Sequence, residues 1–167
     1  MTARAAVVVR PAQTDDLDDL CLLYGGFHEF HAARLPDRLA SLGVPEAHDS
    51  PVLRAAIKEI LQGADSIIYV AEIGGECVGL AEVYLRQDRP HLASVPHTYG
   101  YLQSLMVHEA HRRSGLGTRL VQAAHRWVRS RGGTEMRADL WEFAEGPLRF
   151  YEKVGYATLR RTMVRKL

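Results

Sequence analysis

The chain has 167 residues, 47% hydrophobic and 25% charged, which is enough to bury one core and too little for two ordinary domains. Twenty-one Lys and Arg against 20 Asp and Glu leave a formal charge of +1, so no global field holds nucleic acid or an anionic membrane, and any anion must be bound locally. The apolar run Ala5–Val9 lacks a full signal-peptide h-region and cleavage site, and no stretch approaches the roughly 20 apolar residues of a membrane span, so a cytoplasmic protein is expected.

Val7–Arg10 reads as a short strand, followed by a turn with a helix N-cap over Pro11-Ala12-Gln13-Thr14-Asp15-Asp16. Leu17, Leu20, Cys21, Tyr24 and Phe27 recur at helical spacing, and Gly25-Gly26 is expected to weaken or bend that helix. Cys21 and Cys77 are too few for a disulfide framework and too far apart for a metal-ligand pair. From Ala32 to Ser50, Pro36, Gly43 and Pro45 point to a broken helix or loop, before a second helix at about Val52–Gln62. Ser66–Ile73 and Val78–Leu85 read as a hairpin joined by Gly74-Gly75-Glu76, and Thr98–Val107 as a further strand beyond a proline-bearing loop.

Gly115–Arg131 carries the clearest helical stripe, Leu116, Leu120, Val121, Ala124 and Val128, and stops at Gly132-Gly133. Glu135–Phe143 then reads as a strand parallel to Thr98–Val107, Pro147–Val154 as a short helix, and Tyr156–Arg165 as a last strand. The expected fold is α/β of the α+β kind: a mixed, mostly antiparallel sheet of six to seven strands flanked by about four helices, all in one domain over residues 1–167.

The most informative stretch is Leu105-Met106-Val107-His108-Glu109-Ala110-His111-Arg112-Arg113-Ser114-Gly115-Leu116-Gly117-Thr118. It passes from strand to helix through two glycines, where free N–H groups and the helix dipole favour an anion and two arginines add charge. It lacks the Gly-Lys-Ser/Thr ending of a P-loop, and Leu120 stands where a dinucleotide fingerprint needs its third glycine. With Arg112, Gly115 and Gly117 at the fixed positions of Q/R-x-x-G-x-G/A, and with Phe150-Tyr151-Glu152-Lys153-Val154-Gly155-Tyr156 downstream, the chain resembles the GNAT superfamily of N-acetyltransferases.

That resemblance implies a GNAT fold, acetyl-CoA as co-substrate, and transfer of its acetyl group to a primary amine of a small molecule, peptide or protein. It assigns coenzyme binding to Leu105, Met106, Val107, Arg112, Arg113, Ser114, Gly115, Leu116, Gly117 and Thr118, and protonation of the leaving thiolate to Tyr151. The sequence departs from the family pattern at Ala144 and Pro147, where many members carry an asparagine and a small residue. It also has Gln103 where many relatives place a basic glutamate.

A protonated amine cannot attack a thioester, so a base must stand within hydrogen-bond reach. Glu82 is the first candidate, Glu142 the second and His97 the third. No metal is required: His28-Glu29-Phe30-His31 and His108-Glu109-Ala110-His111 have histidines at i and i+3, whereas a zinc H-E-x-x-H needs i and i+4. The basic residues Arg126, Arg129, Arg131 and Arg160-Arg161 read as a solvated face and not as a nucleic-acid surface. The alternative to an enzyme is an acyl-CoA-binding regulatory module without transfer. The acceptor is expected to be chosen by the Phe27–Asp49 region and the Gln87–His97 loop, with Phe27, Phe30, Tyr99 and Tyr101 as apolar contacts, and monomer or homodimer is left open.

Overall fold

The computed structural model describes residues 6–43, 50–144 and 146–166. Five strands form one sheet in chain order: β1 Val7–Pro11, β2 Ser66–Ile73, β3 Glu76–Gln87, β4 Thr98–Val107 and β5 Glu135–Arg137. The first three pairings are antiparallel and the last, β4 with β5, is parallel. The β2–β3 hairpin turns through Gly74 and Gly75 at φ 63° and 91°, left-handed values that match the strands' own twist and that glycine adopts without steric cost.

Helices cover both faces. Helix α1 (Leu17–Ala32) and helix α2 (Pro51–Gln62) lie on one side, with Leu20, Cys21 and Ile57 packed among Ile68, Val70 and Leu80. Helix α3 (Leu116–Ser130) lies on the other, setting Leu120, Val121, Ala124 and Val128 against Ala71, Ala81, Val83 and Leu102. Strand β3 is buried without interruption from Cys77 to Val83, as a strand covered on both faces should be. Each leucine or isoleucine fully buried in this way contributes about 1.5–3 kcal/mol over leaving it in water. A fourth helix, α4 (Leu148–Lys153), follows β5 and adds Tyr151 to the α3 core.

The glycine pair does not break α1, which runs through Gly25 and Gly26 as one helix of 16 residues. A Cβ at Gly26 would lie 3.1 Å from Cε of Met106 on β4, so the glycine allows a close helix-to-strand approach. Helix α2 starts as its sequence requires: Ser50 Oγ accepts a hydrogen bond from the Leu53 N–H at 3.3 Å, and Pro51 occupies the first helical position.

The sheet has five strands among the described residues, not six or seven. Strand β5 ends at Arg137 where the sequence predicts extension to Phe143, and Tyr156–Arg165, predicted as a strand, forms none. Past Arg137 the chain is tied to β4 by a side chain, the Tyr101 hydroxyl donating to Asp139 Oδ2 at 2.9 Å. β-rich composition forms a strand only beside an edge that offers pairing groups, and β5 offers three residues. Leu159, Met163 and Val164 are accordingly exposed.

Candidate functional site

Strand β4 changes character along its length. Its first part is paired on both sides, with β3 and, from Tyr99 to Tyr101, with β5. Beyond Tyr101 the β5 partner is gone and β4 borders a groove of about 2590 Å³, floored by the sheet and walled by the second half of α1 and by α4. That exceeds the roughly 300–1,000 Å³ of a single small-molecule pocket and leaves room for two substrates end to end.

The free edge presents particular backbone groups. The His108 N–H donates to the Val78 carbonyl of β3 at 2.8 Å. Strand residues alternate sides, so Met106 also turns its backbone to β3, while Leu105 and Val107 turn theirs to the groove. Arg112 confirms the direction, its Nε donating to the Val107 carbonyl at 3.0 Å. Between the register pairs Glu82↔Ser104 and Val83↔Leu102 there is a bulge that leaves Gln103 unpaired; bulges re-aim side chains, and Gln103 lines the groove.

The loop after β4 folds as a bent arm: a 3₁₀ turn at Glu109–His111, Arg113 in left-handed backbone at φ 61°, and Gly115 as N-cap of α3 at φ 86°. An added Cβ at Gly115 would meet nothing within 4 Å, so the backbone angle alone demands glycine there. The first turn of α3 has no acidic residue and no side-chain cap, which leaves its N–H groups free for an outside anion. Arg112 and Arg113 are exposed at the groove beside it, the Arg112 guanidinium 4.8 Å from the Phe30 ring centre. Gly117 has a different reason for its size: a Cβ there would sit 3.3 Å from ring carbons of Phe150. The space that a side chain would fill there borders α4. Ser114 caps its own turn, its Oγ donating to the His111 carbonyl; Leu116 is buried under α3, and Thr118 is half-buried in that first turn.

Tyr151 is 7% exposed, its ring packed edge-on against Phe150 and Tyr156 at 5.3 and 5.2 Å. Burial pushes its phenol well above the ordinary value of 10, so it carries its proton at neutral pH. The hydroxyl has no hydrogen-bond partner among the described residues, yet no buried side-chain polar atom among them goes unpaired. The oxygen must therefore open onto the groove that Tyr151 lines together with Val107 and Leu140.

Glu82 is 4% exposed, the one carboxylate in the buried run of β3. Three hydroxyls donate to it: Tyr84 to Oε1 at 2.7 Å, and Tyr24 and Ser104 to Oε2 at 2.9 and 2.8 Å. Glu82 does not itself line the groove, but Tyr24 does. Burial first, and then the Glu82 charge and hydrogen bond, hold the Tyr24 phenol well above its usual value. Among the other candidate bases, Glu142 is exposed on the groove wall. His97 does not line the groove, its Nδ1 lying 3.2 Å from Asp88 Oδ2. The Arg137 guanidinium, ahead of His97, holds the Asp88 carboxyl well below the usual carboxylate range.

Sequence reasoning missed Tyr24, Tyr84 and Ser104. Tyr24 and Ser104 lie 58 and 22 residues from Glu82, and nothing local to either marks the partnership. The four aromatic residues expected near the acceptor, Phe27, Phe30, Tyr99 and Tyr101, all line the groove. The α1 histidines are engaged with backbone, His28 with the Ala40 carbonyl at 2.7 Å and His31 with the Phe27 carbonyl at 2.9 Å. The part of the acceptor region from 44 to 49 lies outside the described residues.

Residues 29–156, more than half of the chain, match the Acetyltransferase (GNAT) family. The chain belongs to the GNAT acetyltransferase family. Among curated relatives it is 32% identical over 97 residues, 58% of its length, to aminoglycoside N(6')-acetyltransferase type 1 of Klebsiella aerogenes; that alignment spans 62% of the relative. It is 26% identical over 149 residues to the uncharacterized N-acetyltransferase YhfO of Bacillus subtilis, covering 89% of this chain and 88% of the other. The GNAT fold recurs in solved structures. A tetramutant of the BH1408 protein from Bacillus halodurans superposes with a TM-score of 0.85 at 20% identity, over 96% of this chain and 99% of that one. Aminoglycoside N-acetyltransferase AAC(6')-Iy, solved in complex with CoA, gives 0.76 at 19% identity, over 100% and 98%. Among the described residues no helix is long and apolar enough to cross a membrane.

Proposed function

We propose that this chain is an acetyl-CoA-dependent N-acetyltransferase, one domain across residues 1–167, that acetylates a primary amine of a small molecule or peptide. The observation that carries this reading is the continuity of one groove from Arg112 and Arg113, along the unpaired edge of β4, to the buried Tyr151, whose hydroxyl has no partner among the described residues. Coenzyme A binding by relatives of the same fold supports it.

The residues present suit such a coenzyme. The free N–H groups at Gly115, Leu116, Gly117 and Thr118, with Arg112, Arg113 and Ser114 beside them, would hold a pyrophosphate. Leu105 and Val107 would bond a pantetheine amide through the backbone, with Met106 holding the strand to β3 behind them. Acetyl-CoA itself supplies an activated thioester.

Transfer then rests on three proton or charge tasks. Negative charge growing on the acetyl oxygen is met by a backbone N–H of the free β4 edge, a donor already oriented before reaction. Tyr151, neutral because it is buried, donates its phenolic proton to the departing sulfur. The amine, with an ordinary pKa near 10.4, must first lose a proton. Tyr24 faces the groove and already donates to Glu82, so it accepts that proton on its oxygen while its own hydrogen passes 2.9 Å to the Glu82 carboxylate. Glu82 is thus the base at one remove.

The test is release of CoA thiol from acetyl-CoA in the presence of a panel of primary amines, with the melting temperature followed as CoA, NAD and ATP are added. Amine-dependent thiol release, and stabilisation by CoA well above that by NAD or ATP at equal concentration, are expected. Stabilisation by CoA with no amine-dependent release would support the regulatory-module alternative, and stabilisation by none of the three would refute the assignment of the loop.

A further inference from the structure

The floor of the groove at the first part of β4 carries two arginines in opposite electrostatic states. The Arg137 guanidinium, 3.8 Å from the Tyr99 ring centre, is neutralised: it donates to both oxygens of Asp88 at 2.6 and 2.8 Å and to Glu135 at 2.6 Å. The Arg86 guanidinium lies 3.9 Å from the Tyr101 ring centre and 5.3 Å from that of Tyr84. It makes no hydrogen bond or ion pair among the described residues. Of the carboxylates around it, Asp139 accepts from the Tyr101 hydroxyl, Glu82 from the Tyr84 hydroxyl and Asp88 from Arg137, and Glu59, whose charge reaches Tyr84, makes no ion pair with Arg86. Arg86 therefore presents a guanidinium with five N–H donors and no ion-pair partner among the described residues.

Its direction is informative. The Arg86 Cα stands opposite Tyr99, but the guanidinium lies over Tyr101, so the side chain leans along β4 towards the bulge at Gln103. The two ring faces hold it there at lower entropic cost than a free side chain would pay. Tyr101 precedes Gln103 by two residues and Leu105 by four, about 7 and 13 Å of strand.

Building on the N-acetyltransferase reading, we propose that Arg86 binds a carboxylate of the acceptor, and that the acceptor class is an amine bearing a carboxylate several bonds away. A free amino acid acetylated on its side-chain amine and a short peptide acetylated at its N-terminus both have this chemistry. A polycationic acceptor would meet a like charge at this point and is disfavoured.

The experiment compares matched acceptors, di- and tripeptides and ω-amino acids with a free carboxylate against the same molecules as amides, by thiol release in wild type, Arg86→Gln and Arg86→Lys. Wild type should favour the free acid by about 10- to 100-fold in kcat/KM, the size of a charge-assisted contact. In Arg86→Gln that ratio should fall close to one, and Arg86→Lys should restore part of it. The stabilisation by CoA should match wild type in both variants, which shows that the fold and the coenzyme end are intact. An acid-to-amide ratio near one in wild type, a ratio that survives in Arg86→Gln, or polyamines outpacing the free acids would each overturn the proposal. Absence of thiol release with every amine, while CoA still stabilises the protein, would overturn the transferase reading and this inference with it.

Discussion

The two ends of the groove are built in opposite ways. At the end proposed for the coenzyme one continuous stretch, Val107 to Thr118, supplies backbone N–H groups, two arginines and two glycines, and its side chains make few bonds to the rest of the molecule. At the end proposed for the acceptor the contributors come from α1, β3, β4 and β5, and nearly every polar side chain is already engaged: Tyr24, Tyr84 and Ser104 on Glu82, Arg137 on Asp88, Tyr101 on Asp139. A ligand common to a family can be held by backbone, whose geometry survives changes of side chain. A ligand particular to one enzyme must be read by side chains, which can be exchanged without altering the strands beneath.

This contrast is tested hardest at Tyr151, which stands where the two ends meet. Tyr151→Phe removes one proton donor and little volume, so CoA affinity should hold while the chemical step falls by about 10²- to 10⁴-fold. Single-turnover rates are the measurement, because slow product release could mask the loss in steady state. A single-turnover rate within about twofold of wild type would leave Tyr151 as a packing residue.

A coenzyme-end change should weaken CoA whatever the acceptor. Gly117→Trp must force its ring against Phe150, which sits beside Tyr151. We expect a loss of CoA affinity of about 100-fold or more, together with a lower melting temperature, since overpacking typically costs about 1–3 kcal/mol. Calorimetry showing unchanged affinity in a folded variant would remove the loop from the coenzyme site.

An acceptor-end change should do the reverse, slowing transfer and sparing CoA. Glu82→Gln should reduce the rate by about 100-fold at neutral pH, and Tyr24→Phe by about 10-fold, because water can bypass a missing relay more readily than a missing base. Both losses should shrink as pH rises towards the amine pKa of about 10.4, where free amine becomes abundant. The double variant should lose little more than Glu82→Gln alone, as expected for residues acting in one path. A pH-independent loss would mark the network as structural, and the same pattern in Glu142→Gln but not Glu82→Gln would move the base to the groove wall.

The strength of the sequence signal follows the same division. Strand β4 was predicted at its observed bounds, α3 to within a residue at either end, and the Arg112-Arg113-Ser114-Gly115-Leu116-Gly117 arm as a strand-to-helix connection, because hydrophobic period and glycine backbone are local properties. Glu82 could be named as a candidate but not as a buried one, since nothing near it shows that three hydroxyls would converge there. The glycine pair in α1 misled for a related reason: glycine weakens a helix in isolation, but Gly26 faces Met106 across a tertiary contact.

What the sequence determined by itself is therefore the order of elements from β1 to α4 and the family-defining loop, each set by interactions within a few residues. Tertiary structure alone decided where β5 leaves β4, which backbone groups that departure frees, that Gln103 is the bulged residue, and that Tyr24 stands between the groove and Glu82. It also decided that Tyr156–Arg165, for all its strand-like composition, remains unpaired. The physical reason is the same in each case: a strand edge, a bulge and a buried carboxylate are defined by their neighbours across the sheet, and those neighbours are distant in the chain.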